Sequence, residues 1–267
     1  MLTFNGIPAA PGIAIGKAHV RHNATLVYRE GTLDEAETQN QLRILQDALR
    51  ISAHQLGEIA DAAAKAGDAA DAEIMQAHLA ILEDEAFTDE IADEIVQMHM
   101  FAETAVRKVC QKYEAVFAGM DDAYMRERAA DVSDICLRIA KNILGVPVHA
   151  IGDVREACVV IAHDLTPSDT MQFDKERILA FCTEQGGRTS HSAIIAKTHE
   201  IPAVMGLKNI VAQAGEGETV IVDGNEGVVL LNPDAQTLDR YSRLRSEYAT
   251  RREALKDLRH LPAETKD

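Results

Sequence analysis

The 267 residues include no tryptophan, and aromatic residues of all kinds reach only 4%. Few rings are therefore available for stacking on nucleic-acid bases. Cations are short as well: 27 Lys+Arg face 43 Asp+Glu, a net charge of −16 with a pI near 5.0. Counterion release from nucleic acid needs clustered Lys and Arg, so this balance argues against such a partner. It favours a basic partner or simply good solubility. Long apolar runs are missing. The longest, residues 157–162, is strand-sized, whereas a bilayer span needs ~20 residues. The start, Met1-Leu-Thr-Phe-Asn5, has neither the basic flank nor the apolar core of a signal peptide. Cys110, Cys136, Cys158 and Cys182 are widely spaced with no CxxC. That excludes a disulfide framework or zinc site as the default and suits a reducing, cytoplasmic setting, with the four as buried thiols. Only seven prolines occur, and none lies between residues 31 and 145, so nothing there forbids continuous helix.

What is present divides into three blocks. The first, Gly6-Ile-Pro-Ala-Ala-Pro-Gly through Val20, reads as a turn followed by one strand over Ile13–Val20. The second, 31–145, reads as helical throughout. Thr32 with Glu35 forms a capping-box pattern, and Leu42, Leu45, Leu49, Leu56 and Ile59 recur at helical spacing. A hairpin is expected near Gly67. Further helices carry Ile74, His78, Ile81 and Leu82; then Ile91, Ile95 and Met98 after a Thr88 cap; then Val106, Val109, Tyr113 and Phe117. The last runs from Ala123 to Leu144 and stops at Gly145. Short connections imply antiparallel neighbours in a small bundle. The third block changes period. Strands are expected over 157–162, 177–182 and 201–205, and a hairpin around the Gly-rich turn between Thr219 and Leu231. A helix is expected over His191–Thr198, and a final helix begins near 234. The lone early strand needs partners, and the third block supplies them. The fold class is therefore an α/β domain (1–21 and 146–233) with an inserted all-α helical subdomain (31–145) and a C-terminal linker helix (234–267).

The densest chemistry is Gly186-Gly-Arg-Thr-Ser-His-Ser192. It lies between a strand end and a helix start, where unpaired N–H groups and the positive dipole end attract anions. Arg188 adds fixed charge and His191 a nucleophilic imidazole. From the residues alone, three plainer roles stay open: a helix-start histidine with an ordinary hydrogen bond, a glycine turn without ligand, and non-covalent phosphate binding. His78 and His163 read as structural, and no histidine pair has HxxxH metal spacing; no metal or other cofactor is expected on this chain.

The segment Gly186-Gly-Arg-Thr-Ser-His-Ser-Ala-Ile-Ile-Ala closely resembles the phosphohistidine motif of the phosphoenolpyruvate (PEP)-utilising enzymes. Together with Gly6–Gly16, Leu82-Glu-Asp-Glu85, Glu127-Arg-Ala-Ala-Asp-Val132, Asn142-Ile-Leu-Gly145, Asp164-Leu-Thr-Pro-Ser168 and Ile201-Pro-Ala-Val204, it resembles the N-terminal phosphoryl-transfer region of the enzyme I family of the bacterial PEP:sugar phosphotransferase system. The resemblance implies a PEP-protein phosphotransferase, with His191 phosphorylated on Nε2, Thr170 hydrogen-bonding that histidine, and Arg188 and Thr189 in the family's loop. Lys197 departs from the arginine usual there and lacks its bidentate fork. The helical block becomes, by the same resemblance, the docking surface for HPr, the small histidine phosphocarrier. Ile81, Leu82, Glu83, Asp84, Glu85 and Phe87 match the contact helix, and Arg128 matches a contact on the last helix. Charge supports this separately: residues 31–145 hold 23 Asp+Glu and 10 Lys+Arg, a net of −13, so the remainder carries only −3. The family chain continues into a PEP-binding barrel that uses Mg2+ and drives dimerisation. The present chain is expected to be a monomeric truncation that exchanges phosphate with HPr without using PEP itself. Alternatives are the histidine domain of a dikinase or PEP synthase, a nitrogen-related enzyme I paralogue, and a non-catalytic protein-binding module.

Overall fold

The computed structural model describes residues 1–22, 26–121, 123–148, 156–174, 176–188 and 190–257, with the side chains of 70, 118, 123–127 and 255–257 set aside. The chain forms two compact units, one of Met1–Asn23, Val154–Leu165 and Asp174–Asp267, the other of Ala24–Asp153 and Thr166–Phe173.

The second unit is helical. It contains α1 (Glu35–Ala66), α2 (Ala69–Leu82), α3 (Glu85–Met98), α4 (Ala102–Ala118), α5 (Ala123–Leu144) and the short α6 (Pro167–Thr170). The expected hairpin turn is at Gly67, which caps α1 at φ 83°, a conformation that glycine adopts without steric cost. Two expected caps move. Asp34, not Thr32, caps α1 by accepting from the Glu37 N–H at 2.8 Å. Asp84, not Thr88, caps α3 by accepting from the Ala86 N–H at 2.8 Å. Both caps are aspartates directly before the helix: Asp34 lies two residues past Thr32, and Thr88 falls inside α3, four residues past Asp84. A carboxylate at each start also meets the positive dipole end. The apolar stripes converge on one core that includes Leu45, Leu56, Met75, Ile91, Ile95, Val106, Ile135 and Ile139. Thr166–Phe173 packs with this unit, although its position in sequence had assigned it to the α/β domain.

The first unit is built on one eight-stranded mixed sheet. Its strands are β1 (Leu2–Asn5), β2 (Ile7–Ala10), β3 (Ile13–Arg21), β4 (Cys158–Ala162), β5 (Ile178–Thr183), β6 (Ala203–Met205), β7 (Thr219–Asp223) and β8 (Val228–Leu231), in the order β1-β8-β7-β3-β4-β5-β6-β2. The early strand β3 does find its partners in the third block. It lies parallel to β4 and antiparallel to β7. The strands β3, β4, β5 and β6 run parallel. Alternation along β7 sends Val220 and Val222 to a core shared with Val159 and Ile161, and Ile221 to the opposite face with Leu230 and Tyr241. Tyr241 belongs to α9 (Ala235–Asp257), which covers that second face. Two shorter helices, α7 (His191–Thr198) and α8 (Ile210–Gln213), complete the unit. Among the described residues no helix is long and apolar enough to cross a membrane.

Candidate functional site

The α/β site lies at the carboxyl end of β5, where ligands bind in open sheets with parallel strands. The chain leaves the sheet at Thr183 and is braced at once. The Thr183 hydroxyl donates to the Gln185 carbonyl at 2.6 Å, and the Leu207 N–H donates to the Thr183 carbonyl at 3.0 Å. Glu184 pairs with His163 at 2.7 Å and accepts from the Val211 N–H at 3.1 Å. His163 therefore ties two strand ends together, in line with the structural role read for it.

Gly186 then turns the loop at φ 94°. A Cβ there would sit 3.2 Å from the Met205 sulfur and 3.3 Å from the Ser190 hydroxyl. Strain and crowding both require glycine. Gly187 differs: a Cβ would meet nothing within 4 Å, leaving open space beside the backbone. Ser190 is the N-cap of α7, and its hydroxyl donates to the Gly187 carbonyl at 2.9 Å while accepting from the Ala193 N–H at 3.4 Å. The helix thus starts at His191 because the preceding serine closes the loop and satisfies a first-turn donor. His191 is half-buried, and its Nε2 is covered from solvent. Arg188 is exposed, and its carbonyl accepts from the Lys197 ammonium at 3.1 Å. Lys197 in this way clips the loop to the last turn of α7, a role that needs one donor rather than an arginine fork. Sequence reasoning missed this contact. The only available signal was a lysine one helical turn past the motif. Thr189 lies outside the described residues.

Thr170 is buried at the end of α6 in the helical unit, and its hydroxyl donates to the Pro167 carbonyl at 2.9 Å. The short helix begins with a reciprocal capping box between Thr166 and Asp169. Thr170, which the resemblance pairs with His191, is grouped with the helical unit and His191 with the other.

The second candidate region is the junction of α2 and α3. Glu83, Asp84 and Glu85 are exposed there, and Ile81 is half-buried. Leu82 and Phe87 are not surface residues. They are 3% and 2% exposed and belong to the bundle core, where the Phe87 ring meets Tyr113 edge-on with centroids 5.5 Å apart. The acidic tripeptide interrupts two amphipathic helices, so the apolar residues on either side turn inward. A contact role for Leu82 and Phe87 is withdrawn on that ground. Arg128 is partly exposed on α5 and pairs with Asp131 at 3.3 Å.

Comparison with known proteins adds two family matches: residues 5–128 to the N-terminal part of PEP-utilising enzymes, and 154–227 to the mobile domain of PEP-utilising enzymes. A phosphoenolpyruvate-protein phosphotransferase from Listeria innocua is 37% identical over 264 residues, which cover 99% of this chain and 46% of that protein. The chain thus spans about half the length of the curated relatives it matches. A solution structure titled as Enzyme I (nEIt) matches with TM-score 0.81 and 38% identity, covering 92% of this chain and 99% of that one. A structure titled N-terminal domain of Enzyme 1 – Nitrogen matches with TM-score 0.58 and 26% identity, covering 91% and 99%.

Proposed function

Because the chain belongs to the PEP-utilising enzymes of the enzyme I (phosphoenolpyruvate-protein phosphotransferase) type, we propose that it carries a phosphoryl group on His191 and exchanges it with a histidine of HPr. The observation that supports this most directly is the placement of His191 as the first residue of α7, after a loop turned at Gly186 and closed by Ser190. A phosphoryl group on Nε2 would lie near the first-turn N–H groups and positive dipole of α7, with Arg188 close in sequence. In the transfer, the acceptor imidazole attacks phosphorus in line, one P–N bond forms and the other breaks. Two nitrogens of similar basicity exchange the group, so the reaction runs in both directions. Positioning and charge stabilisation then supply most of the rate. Since Nε2 is covered here, the reaction requires a movement that uncovers it. Thr170, Arg188 and Thr189 are proposed to assist at the phosphohistidine.

HPr is proposed to dock on the helical unit, with Glu83, Asp84, Glu85 and Arg128 at the contact and Ile81 at its edge. The net charge of −13 over residues 31–145 favours encounter with a basic surface. The chain is proposed to act as a monomer in the cytoplasm and to need a PEP-binding domain for use of PEP. The greater likeness to the Enzyme I structure than to the nitrogen-branch structure, 38% against 26% identity, favours the sugar branch.

The test is transfer from phospho-HPr labelled with radioactive phosphate. The wild-type chain is expected to take up acid-labile, base-stable label, and His191→Ala to take up none. Label on the variant at the wild-type level overturns the assignment.

A further inference from the structure

Beneath α6 the helical unit buries a set of ionisable groups that the proposed transfer does not use. His78 on α2 is completely buried, and Asp131, Asp134 and Arg138 on α5 are nearly so. They form a continuous line of close approaches, in which His78 faces two aspartates at ion-pair distance while neither of its ring nitrogens makes a hydrogen bond among the described residues. Arg128 Nη1 lies 3.3 Å from Asp131 Oδ2. The other oxygen of Asp131 lies 3.1 Å from His78 Nε2. His78 Nδ1 lies 3.9 Å from Asp134 Oδ2. Asp134 in turn holds Ser168, accepting from its backbone N–H at 3.0 Å and its hydroxyl at 2.9 Å. The same hydroxyl accepts from Arg138 Nη2 at 2.8 Å, and Arg138 Nη1 donates to Gln55 Oε1 at 3.1 Å. Ser168 is the second residue of α6, and Thr170 is its last.

Stability alone is a poor reason for such an arrangement. Desolvating two carboxylates, a guanidinium and an imidazole is costly, and apolar residues of like volume would hold two helices at least as well. What a linked polar network supplies is directional constraint. Each member has few geometries that satisfy its neighbours, so displacement of one is felt by the next. One end of this network is the partly exposed Arg128 and the other is the backbone of α6.

We propose that His78 is a positioning residue that couples Arg128, at the docking face, to the placement of α6 and hence of Thr170. The coupling to phosphoryl transfer rests on the HPr reading above; the network itself does not. When a partner carboxylate or carbonyl engages Arg128, its hold on Asp131 loosens. Asp131 and His78 then readjust together, and Asp134 passes the change to the two hydrogen bonds it accepts from Ser168. Partner docking thereby alters the segment that carries Thr170, through groups that never touch the partner.

Two measurements test this. The first uses amide NMR of the free chain and needs no partner. Arg128→Gln should shift the Ser168 and Thr170 amide resonances, and the same substitution in a His78→Gln background should leave them in place. If His78→Gln fails to fold by circular dichroism, Asp131→Asn serves as the interrupting background. Unmoved Ser168 and Thr170 resonances on Arg128→Gln, or equal shifts in both backgrounds, overturn the coupling. The second measures exchange with phospho-HPr. Ser168→Ala should leave HPr affinity within about twofold and slow transfer about tenfold. Combining it with Arg128→Gln should give a rate loss at least fivefold smaller than the product of the single losses, because both break one line. Multiplicative losses mean independent sites and overturn the relay. A wild-type chain that takes no phosphate from phospho-HPr overturns the HPr reading, while the NMR result still decides the coupling.

Discussion

Gly186 sits at φ 94°, and a Cβ there would press on the Met205 sulfur at 3.2 Å and the Ser190 hydroxyl at 3.3 Å. Gly186→Ala is expected to destabilise the α/β unit by about 1–3 kcal/mol, from left-handed strain and crowding, read as a lower midpoint in urea unfolding. Phosphoryl uptake by His191 should fall with it, since the loop that precedes α7 would shift. The paired residues at the α2–α3 junction separate in the same manner. Phe87→Ala removes a core ring that is 2% exposed and should cost about 3–5 kcal/mol. Glu83→Lys alters an exposed side chain, should leave stability within about 0.5 kcal/mol, and should slow HPr association in stopped-flow measurements. At this scale the sequence singled out the His191 loop as the densest cluster of candidate chemistry. It did not show which hydrophobics near the acidic tripeptide faced outward, because an interrupted helix pair permits either face until the bundle closes.

A connecting segment ahead of α1 is pinned to α4 by one ion pair. Arg29 Nε donates to Glu103 at 2.7 Å and its Nη2 to the other oxygen at 3.1 Å; the Thr104 hydroxyl donates to the Arg29 carbonyl at 2.7 Å. The guanidinium also lies 4.3 Å from the centre of the Phe101 ring. Burial of Glu103 opposes its charge, but the Arg29 fork and backbone N–H groups outweigh this and hold its carboxyl below the usual carboxylate range. A depressed folded-state pKa gives stability that is present above the unfolded value, about 4.3, and is lost as pH falls through the folded value. Arg29→Met should therefore weaken the helical unit by about 1–3 kcal/mol at pH 7, toward the lower end because Arg29 is half exposed. The deficit should shrink as pH drops below the usual carboxylate range, followed by circular dichroism melts. Elements of this kind divided sharply in legibility. Helices α1 to α5 follow from local periodicity. The four-residue strands β1 and β2 carry no such period, and exist because β8 and β6 offer them edges. The shift of α6 into the helical unit has the same origin: Ser168 finds Asp134 and Arg138, 34 and 30 residues away.

Over the whole molecule, charge is the property that sequence distributes most unevenly, −13 on residues 31–145 and −3 elsewhere. Steering by such a field acts on the encounter rate and is screened by salt. Raising ionic strength from about 0.05 to 0.5 M should slow HPr association about tenfold or more and leave dissociation nearly unchanged; an association rate insensitive to salt would remove the acidic unit from the docking proposal. Sequence by itself determined the helical block, the individual strands of the third block, the phosphohistidine-like motif and the location of the negative charge, since each is set by residues close together along the chain. Tertiary structure alone decided that Leu82 and Phe87 are core, that Lys197 clips the Arg188 carbonyl, that Thr170 belongs with the helices, and that His78 lies between two aspartates. These depend on which distant groups meet, and burial fixes that by the total apolar surface and the hydrogen bonds it must satisfy, which no local pattern encodes.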